Sequence, residues 1–343
     1  MATDAPLLRV EGLRTALRVD DAEYDIVTGV DLDLDEGETL ALVGESGSGK
    51  SVTALSIARL LGRNIRTTGG RVLLDGQNIL ALSERQMRAL RGRDIAVVFQ
   101  EPMTSLNPVL RIGTQLAESI RRRPSTGGDI RTRATALLES VGISQPDQRL
   151  DMYPHQLSGG MRQRVMIAIA LAARPRILIA DEPTTALDVT TQAQILDLMK
   201  ARTDELGAST LLITHDMGVV ARYAQRVNVM YSGGIVERAD VRSLFARPSH
   251  PYTRGLLQSM PRLDRPRAER LPAIEGLPPQ LTARPEGCPF RTRCAFQVEK
   301  CRERPPMLQI GPGHEAACWR TREVAALSGS DTAPVPVAAR AVQ

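Results

Sequence analysis

The sequence predicts an α/β fold with a mainly parallel core sheet, an antiparallel N-terminal β portion and a helical insertion, ending in a small Cys-rich extension. Three observations predict it. Short apolar runs of buried-strand type each lead into a helix-period segment: 38–43 into 51–61, 177–180 into 189–206, and 210–213 into 217–224. Residues 7–35 instead alternate, with Leu8, Val10, Leu13, Ile26, Val30, Leu32 and Leu34 on one side, as half-exposed antiparallel strands do. All four cysteines follow residue 287.

The 343 residues suit two domains, or one large domain with an appendage. At 42% hydrophobic the chain can bury an ordinary core. Its 3% aromatic content supplies few platforms for stacked bases, and the net charge of +5 is spread along the chain. The arginine triplet at 121–123 therefore reads as a solvated helix face, and no nucleic-acid partner is expected. No apolar run approaches the ~18 residues of a membrane span. Met1-Ala2-Thr3-Asp4 lacks the basic-then-apolar pattern of a secretion signal, so a cytosolic chain is expected, and any membrane role would have to come through partners.

Taken in order, the alternating strands close at the turn Asp35-Glu36-Gly37-Glu38, and Tyr24 is the one aromatic ring upstream of residue 44. Next comes Gly44-Glu45-Ser46-Gly47-Ser48-Gly49-Lys50-Ser51, which fills every fixed position of G-x-x-x-x-G-K-[ST] between a strand and a helix. Glycines let backbone N–H groups approach phosphate oxygens, and the helix dipole adds positive charge. Lys50 can reach the β- and γ-phosphates, and the Ser51 hydroxyl can hold Mg²⁺. A turn at Gly69-Gly70, a strand over 71–74, a helix over 83–91 and a buried strand over 95–99 come next. From 101 to 156 the pattern is helical and polar, with turns at Asn107-Pro108 and Gly127-Gly128, as an insertion into the α/β core would be.

Gln100 ends one apolar strand, Asp181-Glu182 a second, and His215 follows a third; open α/β sheets bind ligands at such strand ends. Gln100 suits Mg²⁺ or the attacking water, Asp181 suits Mg²⁺ through water, and Glu182 suits a base polarising that water. His215 suits a hydrogen bond to a γ-phosphate oxygen. Leu157-Ser158-Gly159-Gly160-Met161-Arg162-Gln163-Arg164 opens a helix and forms a second anion-binding N-terminus, without a lysine.

The order GESGSGKS, Gln100, LSGGMRQR, ILIADE, Ala186-Leu187-Asp188 and Thr214-His215-Asp216 resembles the ATP-binding cassette ATPases over residues 7–245. The resemblance implies the cassette form of the P-loop NTPase fold at 1–245, with a helical subdomain near 101–165. It also implies a head-to-tail dimer in which Ser158, Gly159 and Gly160 meet the γ-phosphate held by the facing subunit's loop, and Asp188 lies at the seam. ATP binding would close this dimer and hydrolysis would open it. Residues 99–108, Tyr153-Pro154-His155-Gln156, His250-Pro251-Tyr252-Thr253 and Glu275-Gly276-Leu277-Pro278-Pro279 resemble the oligopeptide/dipeptide importer ATPases, whose C-terminal extension would here span 246–322.

That narrower likeness implies an ATPase subunit on the cytoplasmic face of a bacterial membrane. Its partners would be two permease subunits, a second, paralogous ABC ATPase and an extracytoplasmic solute-binding protein. Nickel or another small solute is the alternative cargo. A chromosome or repair ATPase would need a long coiled coil between Lys50 and Ser158, and a GTPase an N-K-x-D motif; neither is present. Two departures stand out. The family's usual adenine-stacking aromatic would fall near Asp21, leaving Tyr24 as a displaced candidate, and Thr185 stands where Ser is commoner.

Cys288, Cys294, Cys301 and Cys318 are separated by 5, 6 and 16 residues. Stable disulfides do not suit a cytosolic chain, and four thiolates suit tetrahedral Zn²⁺ or a 4Fe–4S cluster. No close C-x₂₋₄-C pair occurs, which favours the larger group, as the importer resemblance also does. Residues 261–289 are rich in Pro, Arg and Gly and read as a linker; the tail, 323–343, reads as disordered.

Overall fold

The computed structural model describes residues 5–100, 105–122, 129–185, 187–260 and 274–327. The Gly127-Gly128 turn, Arg123, residues 101–104, Ala186, residues 261–273 of the predicted linker and residues 328–343 of the predicted tail lie outside the described residues. The start of that tail is not irregular: 323–326 belong to a short helix, Thr321–Ala326. Strands are numbered in chain order: β1 (Leu8–Val19), β2 (Ala22–Leu34), β3 (Thr39–Val43), β4 (Ile65–Leu74), β5 (Gln77–Asn78), β6 (Ile95–Val98), β7 (Ile177–Asp181), β8 (Ser209–Thr214), β9 (Arg226–Tyr231), β10 (Gly234–Asp240), β11 (Leu308–Gly311) and β12 (His314–Ala316). The chain divides into two compact units, one of residues 1–7, 34–38 and 78–213, the other of 8–33, 39–77 and 214–343.

In the first unit β6, β7 and β8 run parallel, with Ile95 opposite Ile177 and Ile177 opposite Ser209. Every residue of β7 is buried, as a central parallel strand covered on both faces must be. The expected insertion is helical: Ile112–Arg121, Ile130–Ser140 and Pro146–Leu150 precede the long helices Gly159–Leu171 and Val189–Leu206. Ile112, Leu116 and Ile120 recur every four residues and are buried, so one stripe of the first helix faces inward. Asp129 caps the second helix by accepting the Thr132 N–H at 2.7 Å.

In the second unit β1 pairs antiparallel with β4, Leu8 opposite Leu74 and Leu17 opposite Ile65. The predicted turn at Gly69-Gly70 is instead the bulged middle of β4, so this strand begins six residues earlier than 71. A side chain at Gly70 would have its Cβ 2.6 Å from the Gly12 carbonyl oxygen, so glycine here permits strand contact rather than reversal. The helix expected over 51–61 spans Lys50–Ile57. Arg59 turns left-handed at φ 53°, and the Leu60 N–H bonds back to the Leu55 carbonyl, a Schellman ending that stops the helix short of the last apolar residues.

This unit also carries strands that the sequence pattern left unassigned. β3 pairs parallel with β9 (Leu40 opposite Arg226), β9 with β10 antiparallel, and β10 with β12 (Glu237 opposite Ala316). The Cys-rich extension thus adds strands to the sheet that carries the phosphate-loop sequence. Glu237 of β10 is fully buried and its carboxylate accepts the N–H groups of Ser249 and His250 and the Nε2–H of His314, at 2.7, 2.9 and 2.7 Å. A buried charge needs such donors on every side. The apolar core of this unit runs from Val43 and Val229 through Tyr231 and Tyr252 to Cys288, Phe290 and Cys301.

Candidate active site

The glycine loop leaves β3 at Gly44 and enters its helix at Gly49. A Cβ on Gly44 would lie 2.2 Å from the Met230 carbonyl oxygen, and Gly49 caps the helix at φ 105°, so both positions exclude a side chain. Lys50 is buried and its Nζ donates to the carbonyls of Gly44 at 2.8 Å and Glu45 at 3.0 Å, folding the ammonium back over the loop. Ser48 Oγ is buried and has no hydrogen-bond partner. A loop that buries an orphaned hydroxyl and an ammonium fits an anionic guest that offers oxygen atoms. Glu45 is held from outside the loop: its N–H donates to the Tyr252 hydroxyl at 2.7 Å, and its carboxylate takes two bonds from Arg293, at 2.7 and 3.0 Å.

The first unit brings together two of the expected catalytic groups. Gln100 Nε2 donates to Glu182 Oε2 at 3.3 Å. Glu182 sits just past β7 with a left-handed φ of 44°, a conformation that costs a non-glycine residue energy and that clusters at functional sites. Its N–H bonds to the Ile213 carbonyl at 3.0 Å, and Thr185 Oγ1 donates to the same Oε2 at 3.0 Å. Thr185, which the sequence offers only as a variant of a commoner Ser, therefore helps aim the carboxylate. Asp181 is buried at the end of β7.

Ser158 caps the helix Gly159–Leu171 by accepting the Met161 N–H, and it is exposed, as is Gly159. Gln163 of that helix donates to the Pro183 carbonyl, tying the glycine-pair helix to the segment after Glu182. Asp188 caps Val189–Leu206 through the N–H and hydroxyl of Thr191 at 2.9 and 2.7 Å. Those bonds hold its carboxyl below the usual range.

In the second unit His215 is exposed between β8 and the helix Met217–Tyr223, in a turn that Asp216 fixes by accepting the N–H groups of Gly218 and Val219. Tyr24 lies half-buried in β2, and Asp21 is exposed. The four cysteines are free thiols that line one cavity with His250, Phe290, Arg291 and Trp319. Among the described residues no three His, Cys, Asp or Glu side chains stand close enough to grip a single metal ion. Burial pushes the Cys288 thiol up, Cys294 to about 11 and Cys318 to about 12. Such thiols ionise only against a compensating cation. Arg291 Nε, also buried there, has no partner, and the Cys318 Sγ accepts the Arg320 N–H at 3.4 Å. Four thiols around one cavity are the donor set that a thiolate-bound metal group would need.

Comparison with known proteins agrees with this arrangement. Residues 27–185 match the family model described as ABC transporter, and residues 236–301 match that of the oligopeptide/dipeptide transporter C-terminal region. A probable peptide ABC transporter ATP-binding protein of Sinorhizobium fredii is 52% identical over 321 residues, covering 93% of this chain and 96% of that protein. The chain belongs to the ATP-binding cassette ATPases, in the oligopeptide/dipeptide transporter branch. An oligopeptide transport ATP-binding protein of Bacillus subtilis is 47% identical over 319 residues, 91% of this chain and 88% of its own length. Among solved structures, a dimeric ATP-binding cassette in a post-hydrolysis state with ADP and phosphate aligns with a TM-score of 0.61 at 29% identity, over 68% of this chain and 99% of that one. The cassette fold and the ATPase activity expected from the motif order follow from this membership.

Proposed function

We propose that this chain is the ATP-hydrolysing motor subunit of a bacterial importer for di- and oligopeptides, docked on the cytoplasmic face of the membrane. Among the described residues no helix is long and apolar enough to cross a membrane. Two permease subunits would carry the path, an extracytoplasmic solute-binding protein would deliver the cargo, and a second, paralogous ATPase would complete the pair. The observation that carries the reading is one polypeptide joining a cassette to the transporter-type extension.

In this reading Gly44, Glu45, Ser46, Gly47, Ser48, Gly49, Lys50 and Ser51 hold the triphosphate, with Lys50 leaving its carbonyl partners for phosphate oxygens. Ser51, Gln100 and Asp181 would hold Mg²⁺, whose chemistry is to neutralise charge on the β- and γ-phosphates. Glu182, oriented by Gln100 and Thr185, takes the proton of the attacking water, and His215 donates to a γ-phosphate oxygen. Ser158, with its oxygen capping its own helix, directs its O–H outward with Gly159 and Gly160 toward a nucleotide on the facing subunit, and Asp188 lies along that seam. Cys288, Cys294, Cys301 and Cys318 would ligate a 4Fe–4S cluster that braces the extension; a single Zn²⁺ fits the spread of the thiols less well.

Anaerobic purification tests the cluster: about four irons per chain and a broad absorbance near ~400 nm are expected, and a colourless, iron-free protein removes it. For the motor, peptide-stimulated ATP hydrolysis in vesicles holding the assembled transporter is expected, and hydrolysis indifferent to peptide and permease overturns the reading.

A further inference from the structure

One of the four residues that the loop motif leaves open is tied down from outside the loop. Glu45 has its N–H tied to the Tyr252 hydroxyl and its carboxylate tied to both terminal nitrogens of Arg293. This paired geometry is the strong form of an Arg–carboxylate contact. The Arg293 side chain is only 3% exposed, and its Nε donates to the Glu275 carbonyl at 2.9 Å, so the guanidinium is fixed from behind. Tyr252 is fully buried, its ring against Tyr231 and Phe290 with centroids 4.6 and 5.5 Å away. Both clamping groups lie more than 200 positions from Glu45, and Arg293 directly precedes Cys294. The Glu45 carbonyl is one of the two that accept Lys50 Nζ.

Two physical effects result, with the same sign. A loop already fixed loses less conformational freedom when it closes round a guest. A carboxylate at the lip of an anion site repels phosphate unless a cation neutralises it. We propose that Arg293, assisted by Tyr252, is a positioning residue for the phosphate loop, so that the C-terminal extension sets the affinity of the cassette for nucleoside triphosphate. The proposal rests on reading 44–51 as the phosphate loop.

The test measures binding of a fluorescent ATP analogue with Mg²⁺ to the full chain, beside the unfolding midpoint and the KM and kcat of hydrolysis. Arg293→Met is expected to weaken binding about tenfold and to raise KM with little change in kcat. Arg293→Lys recovers part of this, because one ammonium cannot make the paired contact. Arg293→Met combined with Glu45→Gln is expected to bind better than Arg293→Met alone, because the uncovered charge is gone. Tyr252→Phe keeps the ring and removes only the hydroxyl, and is expected to weaken binding about threefold; it decides the matter together with Arg293→Lys where Arg293→Met does not fold. Folded Arg293 and Tyr252 variants that bind within twofold of the parent overturn the proposal, while Lys50→Ala still loses binding. If Lys50→Ala itself binds like the parent, the loop assignment fails, and the proposal with it.

Discussion

Two helices of this protein begin at glycines, and they begin very differently. At Gly44–Ser51 the first and last glycines, Gly44 and Gly49, are walled in, the lysine is buried over the loop's carbonyls and a hydroxyl waits without a partner. At Ser158–Gly160 the serine caps its own helix, nothing lies within 4 Å of a Cβ built on Gly159, and no lysine follows. In the proposed reading both would present N–H groups to an anion. The first would be a cradle that encloses its guest, and the second a face that needs another surface to make a pocket. A cassette that supplies one of each would then complete two composite sites with a facing subunit.

The strongest challenge to this contrast comes from the proposed base. Glu182→Gln is expected to keep nucleotide binding and lower turnover by ~10²–10⁴-fold, measured as phosphate release by the assembled transporter; hydrolysis at the parental rate removes Glu182 from its role. Lys50→Ala is expected to weaken nucleotide binding about a hundredfold in the isolated subunit by titration, because the enclosed site loses its cation. Ser158→Ala is expected to leave that affinity unchanged and to slow hydrolysis about tenfold in the complex alone; equal losses in both preparations erase the distinction.

Glycine substitutions sharpen it further. Gly44→Ala forces a methyl against the Met230 carbonyl and is expected to cost about 1–3 kcal/mol in denaturant unfolding. Gly159→Ala meets open space and is expected to be neutral or to stabilise the subunit by up to ~1 kcal/mol through helix propensity. Loss of turnover in the complex despite that stability would mean that the open space is filled by the facing subunit. The smallest effect belongs to Asp188→Ala, which removes the cap on Val189–Leu206 and is expected to lower the thermal midpoint by a few degrees.

The enclosed site is largely legible in the sequence because its chemistry is local: eight consecutive residues specify the turn, the cation and the helix start. Gln100 and Glu182 are legible as strand ends, and their hydrogen bond follows from the parallel pairing of β6 with β7. The features that escape are non-local. Arg293 lies just past a stretch whose composition reads as linker, in a three-residue 3₁₀ turn with no periodicity to mark it, and it reaches Glu45 across 248 positions. β9 and β10 carry an apolar run around Ser232-Gly233, whose positive φ values of 46° and 86° suit a tight hairpin; the Ser-Gly pair is a hairpin signal that the α/β alternation masks. β11 and β12 are too short to announce themselves, since three or four residues hold no measurable alternation.

The buried carboxylate of Glu237 makes the extension hard to remove. A chain cut at 245 would keep this anion while deleting Ser249, His250 and His314, and would bare the flank of β10 where β12 now sits. The shortened cassette would therefore be an aggregation hazard, with a desolvated charge beneath an open strand edge.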